Sequence, residues 1–225
     1  MSAPAAKPAA HPISDDLLMG YAAGLLPEAY DLLVATAVSL DDDARARLEG
    51  FEALGGALLD EQPVAPLREG SFEEVLARIA GTVPEPTVHP NTAVPRTDPV
   101  LPAPLRAAIG GDLDAARWQP IGMGTAQVRI PTWDGEASAR LMRIPAGQAM
   151  PEHGHEGMEF TLVLAGSVVD GGATYRRGDL SVSDDAVEHS PAAGEGATCI
   201  CLAVTDRPLV LKALLPRIAA RFLDI

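Results

Sequence analysis

Seven prolines interrupt the middle of this chain of 225 residues. They are Pro84, Pro86, Pro90, Pro95, Pro99, Pro102 and Pro104. Proline has no backbone N–H and a fixed φ, so such a density excludes both a helix interior and a central strand. We therefore predict a semi-rigid extended linker over residues 83–104, with one folded domain before it, residues 1–82, and a second after it, residues 105–225.

The first domain carries the start signals and the apolar spacing of amphipathic helices. Ser14 suits an N-cap, and Pro27 suits the first turn of a helix. The acidic run at 41–43 suits another first turn, and Ser71 with Glu74 matches a capping box. We therefore predict an all-α domain of four helices. Their apolar faces contain, in chain order, Leu17, Leu18, Tyr21 and Leu25; Tyr30, Leu33, Val34, Ala37 and Val38; Leu48, Phe51, Leu54 and Leu58; and Val75, Leu76 and Ile79.

The second domain has a different sequence pattern from the first, since short apolar runs alternate with glycine and aspartate at close intervals. The stretch at 166–185, GSVVDGGATYRRGDLSVSDD, has the turns and short strands of β-hairpins. Residues 198–205, TCICLAVT, are typical of a buried strand, and residues 214–222 can form a short amphipathic helix. The sequence thus predicts an α+β protein of two domains, in which a helical domain precedes a β-rich domain that ends in a short helix.

The charge of the chain limits its partners. The formal net charge is −14, and residues 1–82 contribute −9 of it, with 5 basic against 14 acidic side chains. This balance argues against direct contact with nucleic acid, which needs clustered Lys and Arg, and it suits a basic protein partner. Because the sequence contains neither a long apolar run nor a secretory leader, we expect no membrane span and a cytoplasmic protein.

Two histidines one residue apart, His153 and His155, lie in the stretch PEHGHEGMEF. Side chains alternate between the faces of a strand, so an extended segment directs His153, His155 and Glu159 to the same side, whereas a helix would scatter them. Imidazole nitrogens with one carboxylate suit Zn, Fe, Mn, Ni or Cu. His189, which follows two hairpin turns, is the remaining candidate ligand. Three nearby acidic residues fall outside this pattern and are expected to be solvated: Glu152, Glu156 and Glu188.

The spacing of these residues resembles the first sequence motif of the cupin family. The motif positions, in the family's order and without a departure, are Gly147, His153, His155, Glu159 and Gly166. Residues 178–189 resemble the second motif, although the family's usual Pro, Gly and terminal Asn positions hold Asp184, Ala186 and Ala193. These departures affect the expected shape of the turn but not the ligand.

The resemblance to cupins implies a small β-barrel over residues 105–206. It also implies one divalent metal in that barrel, zinc in the first place, with manganese, iron or nickel as alternatives. The implied ligands are His153, His155, Glu159 and His189.

The whole chain, and not only the barrel, resembles the ChrR-type family of anti-sigma factors. The resemblance rests on residues 11–40, 52–61 and 214–225. It implies that the helical domain binds a sigma factor of the extracytoplasmic-function (ECF) type and blocks its access to core RNA polymerase. It further implies that the cupin is needed for release under singlet-oxygen or related oxidative stress. The resemblance therefore predicts a negative regulator of transcription rather than an enzyme.

The helical domain departs from that family at the family's structural zinc site. The family pattern is a first histidine followed by His-x3-Cys-x2-Cys. Here His11 fits the first position, but Ala37, Asp41 and Ala44 occupy the other three. His11 and Asp41 alone are too few ligands for a tetrahedral zinc site. We therefore expect the helical domain to rest on apolar packing, or on contact with the cupin or a partner.

Cys199 and Cys201 stand two residues apart, on the same face of the predicted strand. They can be two small core residues or an oxidation-sensitive pair inside the barrel, and their thiolate character decides between these interpretations. Neither is assigned to the ligand set, because three histidines and one glutamate already fill it.

Two other functions fit the same residues. Cupins with three histidines and one carboxylate include dioxygenases and isomerases, in which the metal activates O2 or water, so a dioxygenase-like metalloenzyme is one alternative. A small-molecule-binding regulatory module is the other. Iron or nickel with an open coordination position and O2 uptake would favour the enzyme, whereas tightly held zinc without turnover would favour a sensor.

Overall fold

The computed structural model describes residues 9–81 and 99–208 and the backbone of residues 210 and 211, so the predicted C-terminal helix and most of the linker lie outside the described residues. Within these ranges the helices are α1 (Asp15–Ala22), α2 (Glu28–Val38), α3 (Asp42–Asp60), α4 (Ser71–Gly81) and α5 (Ala103–Ile109). The strands are β1 (Gln119–Gly122), β2 (Thr125–Ile130), β3 (Ser138–Ile144), β4 (His153–Gly154), β5 (Glu159–Ala165), β6 (Ser167–Asp170), β7 (Ala173–Arg176), β8 (Leu180–Ser183), β9 (Ala192–Ala193), β10 (Cys199–Thr205) and β11 (Val210–Leu211). None of these helices is both long and apolar enough to cross a membrane.

The helix starts follow the local signals in the sequence. The Ser14 hydroxyl accepts a hydrogen bond from Leu17 N at 3.4 Å, and the Asp41 carboxylate accepts one from Asp43 N at 3.0 Å. Each bond satisfies an amide that has no acceptor within its own helix. The end of α1 differs from the prediction. The helix stops before Leu25, which was expected on its apolar face and is instead 79% exposed.

Helix α5 overlaps the end of the predicted linker. Pro102 is its N-cap and Pro104 lies in its first turn, so neither proline is in a helix interior, but the last residues of the predicted extended linker are helical. Proline is tolerated in a first turn because the amides of that turn have no acceptor within the helix. Gly110, with φ 82°, ends the helix in the left-handed region. The second domain therefore opens with a helix and not with a strand.

The strands form three antiparallel sheets. The largest has the order β1-β2-β3-β10-β5-β8, a second has the order β7-β6-β9, and β11 pairs with β4. Alternation along β10 gives the six-stranded sheet two different faces. Cys199 and Cys201 belong to an apolar cluster inside the barrel, whereas Leu202 and Val204 belong to the cluster that reaches the helices.

The helices pack directly on the outer face of the six-stranded sheet. A single apolar cluster contains Leu18 of α1 and Leu33 of α2 together with Phe160 and Leu202 of the sheet. The rings of Tyr30 and Phe160 meet edge to face, with centroids 5.2 Å apart. The helical domain and the sheet therefore share one core and are joined by more than the linker.

Hydrogen bonds join the two domains at further places. The buried Asp179 Oδ1 accepts a hydrogen bond from His11 N at 3.0 Å, and Leu180 N donates to His11 O at 2.9 Å. At the start of α2, Glu28 N donates to Asp134 Oδ2 at 2.6 Å. These bonds satisfy polar groups that the apolar contact would otherwise bury without partners.

The four positions that form the zinc site in the family's helical domain do not form a metal site in this structure. The His11 ring packs against Tyr175 of the second domain, with centroids 4.6 Å apart. Asp41 caps α3, and Ala37 and Ala44 are buried in the core. Across residues 9–81 and 99–208, the one group of three or more candidate metal ligands lies in the barrel. Apolar packing and contact with the barrel therefore hold the helical domain.

Arg47 adds a polar link among the same helical elements. Its Nη2 donates to Ile13 O at 3.0 Å, and its guanidinium lies 2.5 Å from Asp15 and 3.1 Å from Asp43. The side chain thus connects the segment before α1, the start of α1 and the first turn of α3. Because both aspartates are largely exposed, this link adds little free energy beside the packing.

The second half of α3 and all of α4 lie outside the shared core. Leu54 and Leu58, predicted on a buried face of α3, are 57% and 55% exposed, and α4 has no buried residue. The exposed apolar residues of this region, called the α3–α4 surface below, are Leu54, Leu58, Leu59, Val64, Leu67, Phe72, Val75, Leu76 and Ile79. Exposed apolar residues in such number mark an interaction surface.

We expect Leu33→Ala to destabilise both domains together by about 2–5 kcal/mol, because Leu33 is fully buried in the shared core. Urea unfolding can be followed by far-ultraviolet circular dichroism, which reports largely on the helices, and by fluorescence of Trp118 and Trp133, which lie in the second domain. Both signals should shift to the same lower midpoint.

Leu59→Ala is the matched control, since Leu59 is 72% exposed and its truncation should change stability by less than about 0.5 kcal/mol. Two separate unfolding transitions in the unmodified chain would contradict the shared core.

Candidate metal site

Four side chains bring one candidate ligand atom each to a single point in the barrel: His153, His155, Glu159 and His189. His153 lies in β4 and Glu159 opens β5, and these strands belong to different sheets. The prediction of one extended segment is wrong, because the chain bends at residues 156–157. The side chains converge because the barrel closes around them, and not because they alternate along one strand.

His189 reaches the same point by pairing with His153. Each residue donates its backbone N–H to the carbonyl oxygen of the other, at 3.0 Å in both directions, as an isolated antiparallel bridge. Side chains directly opposite each other in such a pair lie on the same face. The bridge therefore places the two imidazoles side by side.

The turn before His189 is held by Asp184, one of the positions that depart from the family motif. Asp184 Oδ1 accepts a hydrogen bond from Ala186 N at 3.0 Å, and Asp184 O accepts one from Val187 N at 3.1 Å. A side-chain bond of this kind constrains a turn locally, as a proline otherwise does. Ala193 forms part of β9 and pairs with Val168. The departures thus leave His189 among the candidate ligands.

The four candidate ligand atoms lie close enough together to surround one metal ion. The Nε2 atoms of His153 and His155 each lie 3.0 Å from His189 Nε2. Glu159 Oε2 lies between 3.5 and 3.7 Å from all three Nε2 atoms. Ligand atoms placed ~2.0–2.2 Å from a tetrahedral zinc ion are ~3.3–3.6 Å apart. The Glu159 distances are close to these values, whereas the two separations between imidazole nitrogens are shorter.

Two of the imidazoles are oriented by partners on their far side. His153 Nδ1 lies 2.8 Å from Pro151 O, and His189 Nδ1 lies 2.6 Å from Asp170 Oδ2. Because a carbonyl and a carboxylate only accept hydrogen bonds, Nδ1–H donates in each case and Nε2 keeps its lone pair toward the cluster. This arrangement is the usual second layer around metal-binding histidines.

The charges in the cluster favour a bound cation. Burial opposes ionisation of Glu159, but contact with the imidazoles of His153 and His189 outweighs it and holds the pKa of Glu159 at about 2. Hydrogen bonding to Glu159 raises the pKa of His189, whereas burial lowers the pKa of His155. The cluster thus keeps an ionised carboxylate beside imidazoles that must be neutral to act as ligands.

A cavity of about 100 Å³ lies against the cluster, with His153, Glu159 and His189 in its wall. Part of the lining is apolar and includes Ile121, Met142, Ile144, Met150 and Val168. Another part carries hydroxyl groups, on Ser138, Thr161, Ser181, Ser183 and Thr205. The volume is enough for a few water molecules or one small solute. Such molecules can therefore reside next to the candidate ligands.

Cys199 and Cys201 are both buried, and Cys201 lines this cavity. A hydrogen bond that the Cys201 thiol donates to Cys199, together with burial and the negative charge of Glu159, raises the pKa of Cys201 well above its usual range. A thiol with a raised pKa is rarely ionised at neutral pH and is a poor nucleophile. This environment favours the interpretation of Cys201 as a core residue.

The sequence separates ligand candidates from solvated acids but misses one supporting residue. The acidic neighbours expected to be solvated are all exposed, namely Glu152, Glu156 and Glu188. Asp170, which contacts His189, was predicted only as a turn residue. Nothing in the spacing between these two residues signals their contact, because β6 meets the His189 segment only in the folded barrel.

A barrel with inward-facing histidines of this spacing is a cupin-like domain, and the family model described as "ChrR Cupin-like domain" matches residues 106–208. The similarity to known proteins extends beyond that domain. The anti-sigma-E factor ChrR of Cereibacter sphaeroides is 44% identical over 215 residues, which cover 96% of this chain and 98% of that protein. The chain therefore belongs to the ChrR family of anti-sigma factors.

The fold is also similar over both domains. A chain in the crystal structure of Rhodobacter sphaeroides SigE in complex with the anti-sigma ChrR superposes with a TM-score of 0.75 and is 44% identical. The match covers 87% of this chain and 98% of that chain. The resemblance found in the sequence and the predicted α+β fold class are thus confirmed.

We expect His189→Ala to remove most of the metal from the purified protein, because the substitution deletes one of four candidate ligands. Asp170→Ala keeps all four and should weaken metal affinity by about 10- to 100-fold, since it removes only the partner that orients His189. Metal content can be measured by plasma mass spectrometry and affinity by competition with a chelator.

Glu156→Ala is the control for both variants, because Glu156 is exposed and adjacent to His155 without belonging to the cluster. Unchanged metal content in His189→Ala would contradict the ligand assignment.

Metal affinity should also fall as the pH falls. A histidine binds metal only when neutral, and its ordinary pKa is about 6.5. Contact with Glu159 raises the pKa of His189, so protons begin to compete at a higher pH than usual. Glu159, with a pKa of about 2, stays ionised and does not contribute to the loss. Chelator competition at several pH values measures this, and equal affinity at about pH 8 and about pH 5.5 would contradict it.

Proposed function

We propose that this chain is a negative regulator of transcription that binds an ECF-type sigma factor through its helical domain. We further propose that its cupin holds one divalent metal, most simply zinc, and governs release of the sigma factor under oxidative stress. The observation that supports a protein partner is the exposed apolar face of α4. The observation that supports a metal is the group formed by His153, His155, Glu159 and His189.

The apolar residues of α4 lie on one side of the helix. Phe72, Val75, Leu76 and Ile79 follow the spacing of one helical face, and they are 66%, 50%, 48% and 63% exposed. A helix with such a face is stable when the face is covered, so α4 is suited to dock against another protein. Among the described residues nothing buries this face, and its exposure supports a partner that covers it.

The comparisons indicate the class of that partner. The relative that is 44% identical is named as an anti-sigma-E factor, and the similar solved structure is that of SigE in complex with ChrR. This chain aligns with nearly all of both proteins, so it carries the same two domains. A sigma factor is therefore the partner that best fits the α3–α4 surface. Since sigma factors act on RNA polymerase, the proposal also places the chain in the cytoplasm.

The charge of the helical domain agrees with a basic partner surface. Residues 1–82 have a net charge of −9, and acidic residues flank the apolar face of α4 at Glu73 and Glu74. Complementary charge increases the rate of encounter and suppresses incorrect partners. The apolar face then supplies most of the affinity, as is usual for buried interface residues.

Zinc fits the cupin cluster for a chemical reason. Three imidazole nitrogens and one carboxylate oxygen, gathered at one point, satisfy its preferred coordination number with protein atoms alone. Manganese, iron or nickel would bind the same residues and keep further positions open toward the cavity. Bound metal would hold His153, His155, Glu159 and His189 at fixed separations and neutralise the buried Glu159.

Val75→Asp should weaken binding of the sigma factor at least tenfold, since it places a charge in the centre of the exposed apolar face of α4. The test is co-expression with the sigma factor encoded beside this gene, followed by pull-down and by a reporter that depends on that sigma factor. The unmodified chain should be co-purified and should silence the reporter, and Val75→Asp should do neither.

Ala77→Asp is the matched control, because Ala77 lies on α4 away from the apolar face and is also exposed. It should bind and repress as the unmodified chain does. Exposing the reporter strain to light with a photosensitiser then tests release, which His189→Ala should alter. Absence of both complex and repression with the unmodified chain would overturn the proposed function.

A further inference from the structure

The segment between two candidate metal ligands is also part of the contact with the helices. Residues 156–158 connect His155 to Glu159, and Met158 packs against the core that the sheet shares with α1 and α2. Met158 N donates to Asp206 Oδ1 at 2.8 Å, and Asp206 N donates to Met158 O at 3.3 Å. Asp206 therefore holds this connecting segment through both the backbone N–H and the carbonyl oxygen of Met158.

Gly157 shows how closely Asp206 approaches the segment. A Cβ atom at position 157 would overlap the Asp206 carboxylate, and it would lie 2.8 Å from Arg207 Cγ. Any residue larger than glycine would force the segment and the residues after β10 apart. The close approach thus leaves little freedom for His155 and Glu159 to move independently of Asp206.

The same elements touch α2 on the other face of the sheet. Glu159 and Phe160 are neighbours in β5, so their side chains point to opposite faces, Glu159 to the cluster and Phe160 to the helices. Phe160 meets the ring of Tyr30 of α2 edge to face. Burial and the negative charge of Asp206 raise the pKa of Tyr30 to about 12, so Tyr30 is sensitive to the charge of Asp206.

We propose that Asp206 and residues 158–160 couple the state of the metal cluster to helix α2. With metal bound, His155 and Glu159 are held together, and residues 158–160 stay packed on Tyr30. Without metal, the four ligand groups separate, the segment loosens from Asp206, and α2 loses part of its support. This inference rests on the proposed metal binding but does not require that the partner is a sigma factor.

The other contacts between the domains do not offer the same route. Asp134 accepts a hydrogen bond from Glu28 N at the start of α2, and Asp179 accepts one from His11 N before α1. Neither aspartate is a sequence neighbour of a candidate ligand. Phe160 and Met158, in contrast, flank Glu159 directly. A shift of the Glu159 backbone would therefore move residues that pack on the helices.

The experiment is hydrogen–deuterium exchange with mass spectrometry on the full chain, loaded with Zn(II) and then stripped with a chelator. We expect amides of α2, residues 28–38, to exchange about 5- to 150-fold faster after stripping, the usual range for coupled sites. Residues 153–159 should also become less protected. Metal content is measured on the same samples.

Asp206→Ala should bind zinc but show nearly equal α2 exchange in the loaded and stripped states, because it removes the bond to Met158. Asp206→Asn keeps an acceptor oxygen for Met158 N and should restore the difference. Asp114→Ala is the matched control, since Asp114 is an exposed aspartate that also accepts a backbone hydrogen bond. If Asp206→Ala does not fold, Tyr30→Leu tests the same contact from the side of α2.

The outcomes separate this inference from the proposed function. A chain that binds zinc, with α2 exchange unchanged by stripping, overturns the coupling and leaves the metal site intact. A chain that binds no metal overturns both the coupling and the metal proposal. Equal metal dependence in Asp206→Ala and in the unmodified chain overturns the role of Asp206. A metal-dependent difference that only Asp206→Ala or Tyr30→Leu abolishes supports the proposal.

Discussion

The packing of α1 and α2 on the outer face of the six-stranded sheet is the contact on which the rest of this structure depends. Strands β5 and β10 contribute to that contact with one set of alternating side chains and to the barrel interior with the other. Phe160 and Leu202 face the helices, whereas Glu159 and Cys201 face the cavity. Because each of these strands carries both sets of side chains, a shift of its backbone moves residues on both faces of the sheet.

This contact also explains how the helical domain folds without the zinc ligands of its family. Three of the four family positions hold Ala37, Asp41 and Ala44, and they serve as core residues or as a helix cap. His11, at the first position, contacts the cupin through its backbone and its ring. The stabilisation that a metal would supply locally comes here from burial against a neighbouring domain, so the helical domain is tied to the cupin more closely than a linker alone would tie it.

The two candidate interaction regions differ in how they are built. The metal cluster is largely buried, two of its histidines are oriented by Pro151 and Asp170, and its Glu159 carboxylate lies within a few ångströms of all three imidazoles. The α3–α4 surface is the opposite, with apolar side chains left exposed on helices that the shared core does not cover. The first arrangement suits a small ion that must be held rigidly, and the second suits a protein that completes the fold of α4 when it binds.

The sequence by itself determined the four helices of the first domain, the β-rich character of the second and the chemistry of the ligands. Capping residues such as Ser14 and Asp41 act within one turn, and the motif from Gly147 to Gly166 names the ligand types, because both depend on residues close in the chain. Only the tertiary structure decided which apolar faces are buried, so that Leu33 is covered while Leu54 and Leu58 are exposed. It also decided that His153 and Glu159 meet from separate strands and that Asp170 supports His189. The reason is that burial and such contacts depend on elements distant in the chain, whose arrangement local sequence patterns do not encode.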